Sequence, residues 1–228
     1  MSQSPILITG GAQRLGLHCA ERLLDDGHPV IVTYRREREA VAALRARGVL
    51  TLQADFATRA GTEDFIARFK AQVSSLRAVV HNASEWLADP GPEAAGETFE
   101  RLFQVHMQAP YLINLAVREL LEACQEPQRD IVHITDSVVR RGAAEQAAYA
   151  ASKAGLESLT LSFAARFAPH IQVNAIAPGL VMLGEATHPN RRVPGPGVIY
   201  QTLRYLLDND YVTGTVMVVD GGESLGAD

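Results

Sequence analysis

Sulfur is scarce in this 228-residue chain, with two cysteines, Cys19 and Cys124, and no His or Cys neighbour at metal-ligand spacing. That excludes a disulfide scaffold and a thiolate metal site, and both thiols read as core residues of a protein kept in a reducing compartment. No run of eighteen apolar residues occurs and the N-terminus carries no basic segment, so the reading is a cytoplasmic protein with neither a membrane span nor a secretory leader. Basic charge is in deficit as well: 21 Lys and Arg against 26 Asp and Glu leave a net −5, a poor surface for nucleic acid or anionic membrane. Any anionic partner must therefore be a small molecule held by local donors. Neither a solenoid-length repeat nor a low-complexity tract is present.

What the chain does have is a hydrophobic fraction of 47%, enough for a well-buried α/β core. Short β-branched runs at Ile6–Thr9, Val30–Tyr34, Leu50–Gln53, Ala78–His81, Ile131–Thr135, Gln172–Ile176 and Val216–Val219 predict seven strands. Between them, three- and four-residue apolar spacing predicts helices over Leu15–Asp25, Arg38–Arg47, Thr62–Val73, Glu97–Cys124, Gln146–Ala168 and Val198–Leu207. The alternation is that of a doubly wound, Rossmann-like parallel sheet with helices on both faces. The Pro- and Gly-rich stretches Asp89–Gly96 and Pro189–Gly197 read as loops, and neither divides the chain, so residues 1–228 form one expected domain.

Thr9-Gly10-Gly11-Ala12-Gln13-Arg14-Leu15-Gly16 follows the first strand and opens a helix. Backbone N–H groups and the positive helix end at Arg14, Leu15 and Gly16 suit a pyrophosphate, Gly10 permits the tight turn, and Gly16 permits close approach of helix and strand. An Arg at the positive end of a helix dipole asks for an anion nearby, either a cofactor phosphate or a bound substrate. At the end of the second strand an NAD site would offer an acid to the ribose. This chain has Tyr34, Arg35 and Arg36, donors suited to the 2′-phosphate of NADP. After the third strand, Asp55 and Phe56 can bracket an adenine, and Asp55 serves equally as the N-cap of the next helix.

Tyr149 and Lys153 are four residues apart on a predicted helix, which brings phenol and ammonium to one face. A cation beside a phenol favours phenolate and moves the group toward acid–base use. Together with His81-Asn82-Ala83-Ser84, Asn174-Ala175-Ile176-Ala177-Pro178-Gly179, Val212-Thr213-Gly214 and Asp220-Gly221-Gly222, these residues resemble the short-chain dehydrogenase/reductase family over essentially the whole length. The resemblance implies that Tyr149 is the proton donor and that Lys153 binds the nicotinamide ribose and lowers the Tyr149 pKa. Asn82, Ala83 and Ser84 would lie along the cofactor, with Pro178 and Gly179 beside the nicotinamide.

Three departures narrow it: Arg14 in the glycine loop, Asp136 thirteen residues before Tyr149 where most members carry Ser, and Trp86 close after Ser84. This combination is similar to the pteridine-reductase type. A pterin is flat and polar, so Trp86 can stack on one face while Asp136 pairs with its ring nitrogens and amino group. An ionised Asp136 would be a poor partner for the oxygen of a ketone under hydride attack. The implied reaction takes a hydride from NADPH to C6 of a 7,8-dihydropterin, with protonation at N5. Tyr149 and Asp136 supply the proton, and Arg14, Ser84 and Trp86 contact substrate.

The same residues leave room for an NADP-dependent carbonyl or 3-oxoacyl reductase using Ser137, or an NADP-binding sensor without turnover, which the intact Tyr149 and Lys153 oppose. His106 stands where the family carries an Asn that supports a water relay. It can hold water there or be a helix histidine bonded internally. The substrate-covering stretch is short, Met182–Gly197, while Asp130, His133, His188, Arg191 and Arg192 read as structural or solvated. Small and apolar residues along Glu97–Cys124 and Gln146–Ala168, with the resemblance, imply a homotetramer.

Overall fold

The computed structural model describes residues 3–182 and 192–225. Seven parallel strands form one sheet, β1 (Ile6–Ile8), β2 (Val30–Tyr34), β3 (Leu50–Gln53), β4 (Ala78–His81), β5 (Asp130–Ile134), β6 (Gln172–Pro178) and β7 (Val216–Val219), in the order β3-β2-β1-β4-β5-β6-β7. The strands expected from the β-branched runs are these seven, with end shifts of one or two residues.

Alternation along each strand feeds two cores. Leu7 points to a layer with Phe65, Phe69, Val117 and Phe163, whereas Ile6 and Ile8 point to the opposite layer with Cys19, Leu23, Leu44 and Leu203. The first layer comes from α3 (Arg59–Lys70), α5 (Ala109–Glu122) and α6 (Ala147–Phe167); the second comes from α1 (Arg14–Asp25), α2 (Glu39–Ala46) and α7 (Gly197–Asp208). Each fully buried Leu, Ile or Phe contributes roughly 1.5–3 kcal/mol, so a two-faced sheet is where this chain's apolar residues are best used.

Two expectations are corrected. Asp89–Gly96 is not all loop, because α4 (Pro92–Phe103) begins inside it. Pro92 sits in the first turn, where its missing N–H costs nothing, and Gly91 supplies the extended cap. The single helix expected over Glu97–Cys124 is instead α4, a π turn at Gln104–Gln108, and α5. Pro110 cannot donate to the carbonyl four residues back, and the ladder widens so that Ala109 N–H reaches Gln104 O. Of the expected Pro189–Gly197 loop, residues 189–191 lie outside the described residues, as do His188 and Arg191; Gly197 already belongs to α7.

After β3 the chain crosses back over β1 and β2 to place β4 on the far side of β1. The direction of winding reverses between β1 and β4, and a crevice outside their carboxyl ends is the natural ligand position of such a sheet.

Candidate active site

A cleft of about 360 Å³ opens at that reversal. Gly10, Arg14, Leu15, Gly16, Tyr34, Arg35, Arg36, Asp55, Phe56, Asn82, Ala83, Ser84, Trp86, Asp136, Tyr149, Lys153 and Pro178 all line it. Of the residues singled out from sequence, Gly179 is the exception. It packs instead against Asp220 and Glu223, where a Cβ would come within 2.5 Å of Glu223 Oε2.

Backbone builds the floor of the cleft. Gly10 has φ +64°, and a Cβ on Gly16 would lie 2.4 Å from Asn82 Nδ2, so neither position accepts a side chain without displacement. Asn82 braces the turn from below, donating through Nδ2 to Thr9 O at 3.0 Å and Gly10 O at 3.1 Å. The Asn82 and Ala83 N–H groups both donate to Thr9 Oγ1 at 3.0 Å. Gln13, the N-cap of α1, makes no side-chain cap, and the first-turn residues of α1 border the cleft. A glycine cradle under an uncapped helix start fits a pyrophosphate. Arg14 opens α1 at φ +48°, a left-handed conformation that costs a side-chain-bearing residue of order 1 kcal/mol.

The outer wall, where the adenosine is expected, differs in detail from expectation. Asp55 does not cap α3; its Oδ1 accepts from Ala57 N at 3.0 Å, and Thr58 is the cap, accepting from Gly61 N at 3.1 Å. The Phe56 ring turns into the core, edge-on to Phe65. Tyr34 Oη accepts from Arg45 at 2.8 Å. Arg35 is ion-paired to Glu85, a residue that sequence reasoning passed over. Trp86 stands at the rim, 66% exposed.

Side chains build the inner end. Tyr149 donates from its hydroxyl to Asp136 Oδ2 at 2.8 Å, and Asp136 Oδ1 accepts from Val138 N at 2.9 Å, capping a short 3₁₀ turn. Ser137 is buried and does not line the cleft, and it is the Asp136 carboxylate that meets the phenol. Burial first, then the Asp136 charge and hydrogen bond, pushes the Tyr149 pKa up. This corrects the expected lowering by Lys153. The ammonium is directed at Ile134 O, 2.9 Å away, and stands 5.8 Å from the phenol ring centroid. Burial also lowers the Lys153 pKa to about 8, with Asp136 opposing the fall.

Behind Tyr149 the π turn carries His106 inward. Glu85 N–H donates to His106 Nε2 at 3.2 Å, so the proton sits on Nδ1, which donates to Ser152 Oγ at 2.8 Å. Ser152 in turn donates to Tyr149 O at 2.7 Å, and Ser84 Oγ lies 2.8 Å from Nε2. The imidazole is thus a neutral internal tie between the Ser84 loop and α6, which answers the open reading of His106. Burial, then Lys153, holds its pKa well below the usual histidine value.

Residues 4–192 match the family model described as short chain dehydrogenase. The chain belongs to the short-chain dehydrogenase family. It is 43% identical to a dihydromonapterin reductase of Enterobacter sp. strain 638 over 98% of each chain, and 42% identical to that of Klebsiella pneumoniae over 97% of each. Among solved structures, FolM alternative dihydrofolate reductase 1 from Brucella suis in complex with NADP superposes with a TM-score of 0.88 at 27% identity. That match covers 98% of this chain and 96% of the other. For this short-chain dehydrogenase the described residues contain no cluster of metal-ligating side chains and no helix long and apolar enough to cross a membrane.

Proposed function

We propose that this short-chain dehydrogenase reduces a 7,8-dihydropterin to the tetrahydropterin at the expense of NADPH. The observation that carries the reading is the Tyr149–Asp136 hydrogen bond, which sets a carboxylate beside the proton donor. Negative charge there opposes the oxyanion that forms when a ketone takes a hydride, whereas a pterin presents N–H and amino groups that a carboxylate accepts from. The relatives named dihydromonapterin reductase and the NADP-bound FolM neighbour support the same substrate class and cofactor.

NADPH, when bound, supplies the hydride for C6. Everything else falls to residues of this chain. Gly10, Leu15, Gly16, Asn82 and Ala83 form the cradle for the pyrophosphate, Tyr34, Arg35 and Arg36 serve the 2′-phosphate end, Asp55 and Phe56 border the adenine, and Pro178 and Gly179 back the nicotinamide. Lys153, with one ammonium N–H on Ile134 O, has two left for ribose hydroxyls. Tyr149, its pKa raised by burial, stays protonated at neutral pH and hands its proton to N5. Asp136 orients that phenol and accepts from the pterin edge, with Arg14, Ser84 and Trp86 completing the substrate contacts.

We further assign the protein to the cytoplasm, to tetrahydropterin and folate metabolism, and to a homotetramer. Exposed Tyr111 on α5 and Leu161 on α6 support the assembly, and a light-scattering mass of one chain would overturn it. For the reaction, NADPH oxidation is followed with 7,8-dihydromonapterin and with a 3-oxoacyl thioester side by side; faster turnover of the thioester overturns the pterin reading.

A further inference from the structure

Glu85 follows β4, Arg35 follows β2, and β1 with its glycine turn lies between those strands. An Arg35–Glu85 pair therefore spans two strand spacings, close to 10 Å of sheet, over the floor of the cleft. Glu85 is the better buried partner, its side chain 14% exposed against 41% for Arg35. It is held from the other side by Arg101 of α4, whose NH2 group donates to Glu85 Oε1 at 2.8 Å and whose Nε pairs with Oε2. The Glu85 N–H is fixed as well, on His106 Nε2. One carboxylate thus serves two guanidinium groups, and Arg35, the more exposed and therefore more weakly held end, is the one at the mouth of the cleft.

We propose that Glu85 is a specificity-determining residue that competes with the 2′-phosphate of the nucleotide for Arg35. Resting on the NADP reading above, the proposal is that phosphate entry exchanges one anion for another on Arg35 while Arg101 retains Glu85 and keeps it from being left unpaired. Arg35 is the exposed end of the pair and Glu85 offers it a single negative charge shared with Arg101, so a dianionic phosphate displaces the carboxylate. A nucleotide without that phosphate leaves the pair intact. The acid sets how large the preference for NADP over NAD is, and Arg101 sets how readily the acid lets go.

Calorimetric titration with adenosine 2′,5′-bisphosphate and with 5′-AMP tests this. Glu85→Gln is expected to bind the bisphosphate about fivefold tighter with 5′-AMP unchanged, and Arg101→Ala to bind the bisphosphate a few-fold more weakly. In the double variant the Arg101→Ala effect should vanish, since the acid it restrains is gone. Equal gains for both nucleotides, or an Arg101→Ala loss that survives in the double variant, would overturn the proposal. So would a bisphosphate preference in the natural protein that Glu85→Gln leaves unchanged, with the NADP reading intact. Equal binding of the two nucleotides by the natural protein would overturn both.

Discussion

The two ends of the cleft are made differently. At the end proposed for the nucleotide the wall is backbone and the space left by absent Cβ atoms, braced by Thr9 and Asn82. At the chemical end the working groups are side chains: Tyr149 and Lys153, buried in low-dielectric surroundings that move their proton affinities, and Asp136, hydrogen-bonded to the phenol. A backbone cradle binds without needing a particular protonation state. A side-chain cluster acquires chemistry only through burial and mutual contact.

The sharpest break between the two ends is Tyr149→Phe. It removes the proton and keeps the ring, so turnover should fall about 10²–10⁴-fold while NADPH affinity, followed by fluorescence titration, stays within about twofold. Unchanged turnover would move the proton source elsewhere.

Next in size is a buried network that joins β4 and β5 to α5 and α6. His133 Nδ1–H donates to Thr160 Oγ1 at 2.8 Å, Asn114 Nδ2 donates to His133 Nε2 at 3.1 Å, and His81 Nε2–H donates to Asn114 Oδ1 at 2.7 Å. The tautomers follow because Thr160 spends its own proton on Leu156 O at 2.9 Å. Burial keeps both imidazoles neutral, lowering the His81 pKa to about 4, with the Asn114 bond opposing. The unfolded chain binds these protons near pH 6.5 and the folded chain does not. Stability present above that pH is therefore lost as it falls toward 4, by about 3 kcal/mol for His81. Urea midpoints between pH 7 and 4.5 should fall less steeply in His81→Gln; parallel slopes would remove His81 from the acid response.

Asp136→Ser sharpens the contrast within the chemical end. Dihydropterin turnover should drop roughly 10–100-fold and ketone turnover hold or rise, because the charge that opposes an oxyanion is gone. Equal losses on both substrates would make Asp136 merely a cap for the 3₁₀ turn. The smallest effect belongs to the nucleotide end. Arg35→Ala should weaken NADPH about tenfold and NADH hardly at all, read as the ratio of their dissociation constants. Equal losses would place the 2′-phosphate on other donors.

The nucleotide end was the more legible from sequence because its determinants are local. Gly10, Gly16 and the strand before them are contiguous, and the absence of a side chain is visible in the letters themselves. The strands were legible for the same reason, alternation being a property of neighbours. What the letters leave unassigned, or point the wrong way on, is decided by groups from far along the chain. The N-terminus of α6 is capped by Asp89, which accepts from Ala147 N at 2.6 Å and Ala148 N at 3.2 Å from 58 and 59 residues upstream. Arg35 was read as free for a phosphate, and Glu85, 50 residues on, pairs with it. Tyr149 was expected to be acidified by Lys153 on the same helix face, and the carboxylate that governs it arrives from the end of β5.

By itself, then, the amino-acid sequence determined the sheet, the glycine cradle, the family and the residue types gathered at the site, because each depends on spacing along one segment. Only the tertiary structure decided which proton each site residue holds, which tautomer His106 adopts and which anion Arg35 meets. Those follow from burial and from partners on other strands, and a charge takes its chemical meaning from the medium and neighbours that folding assigns it.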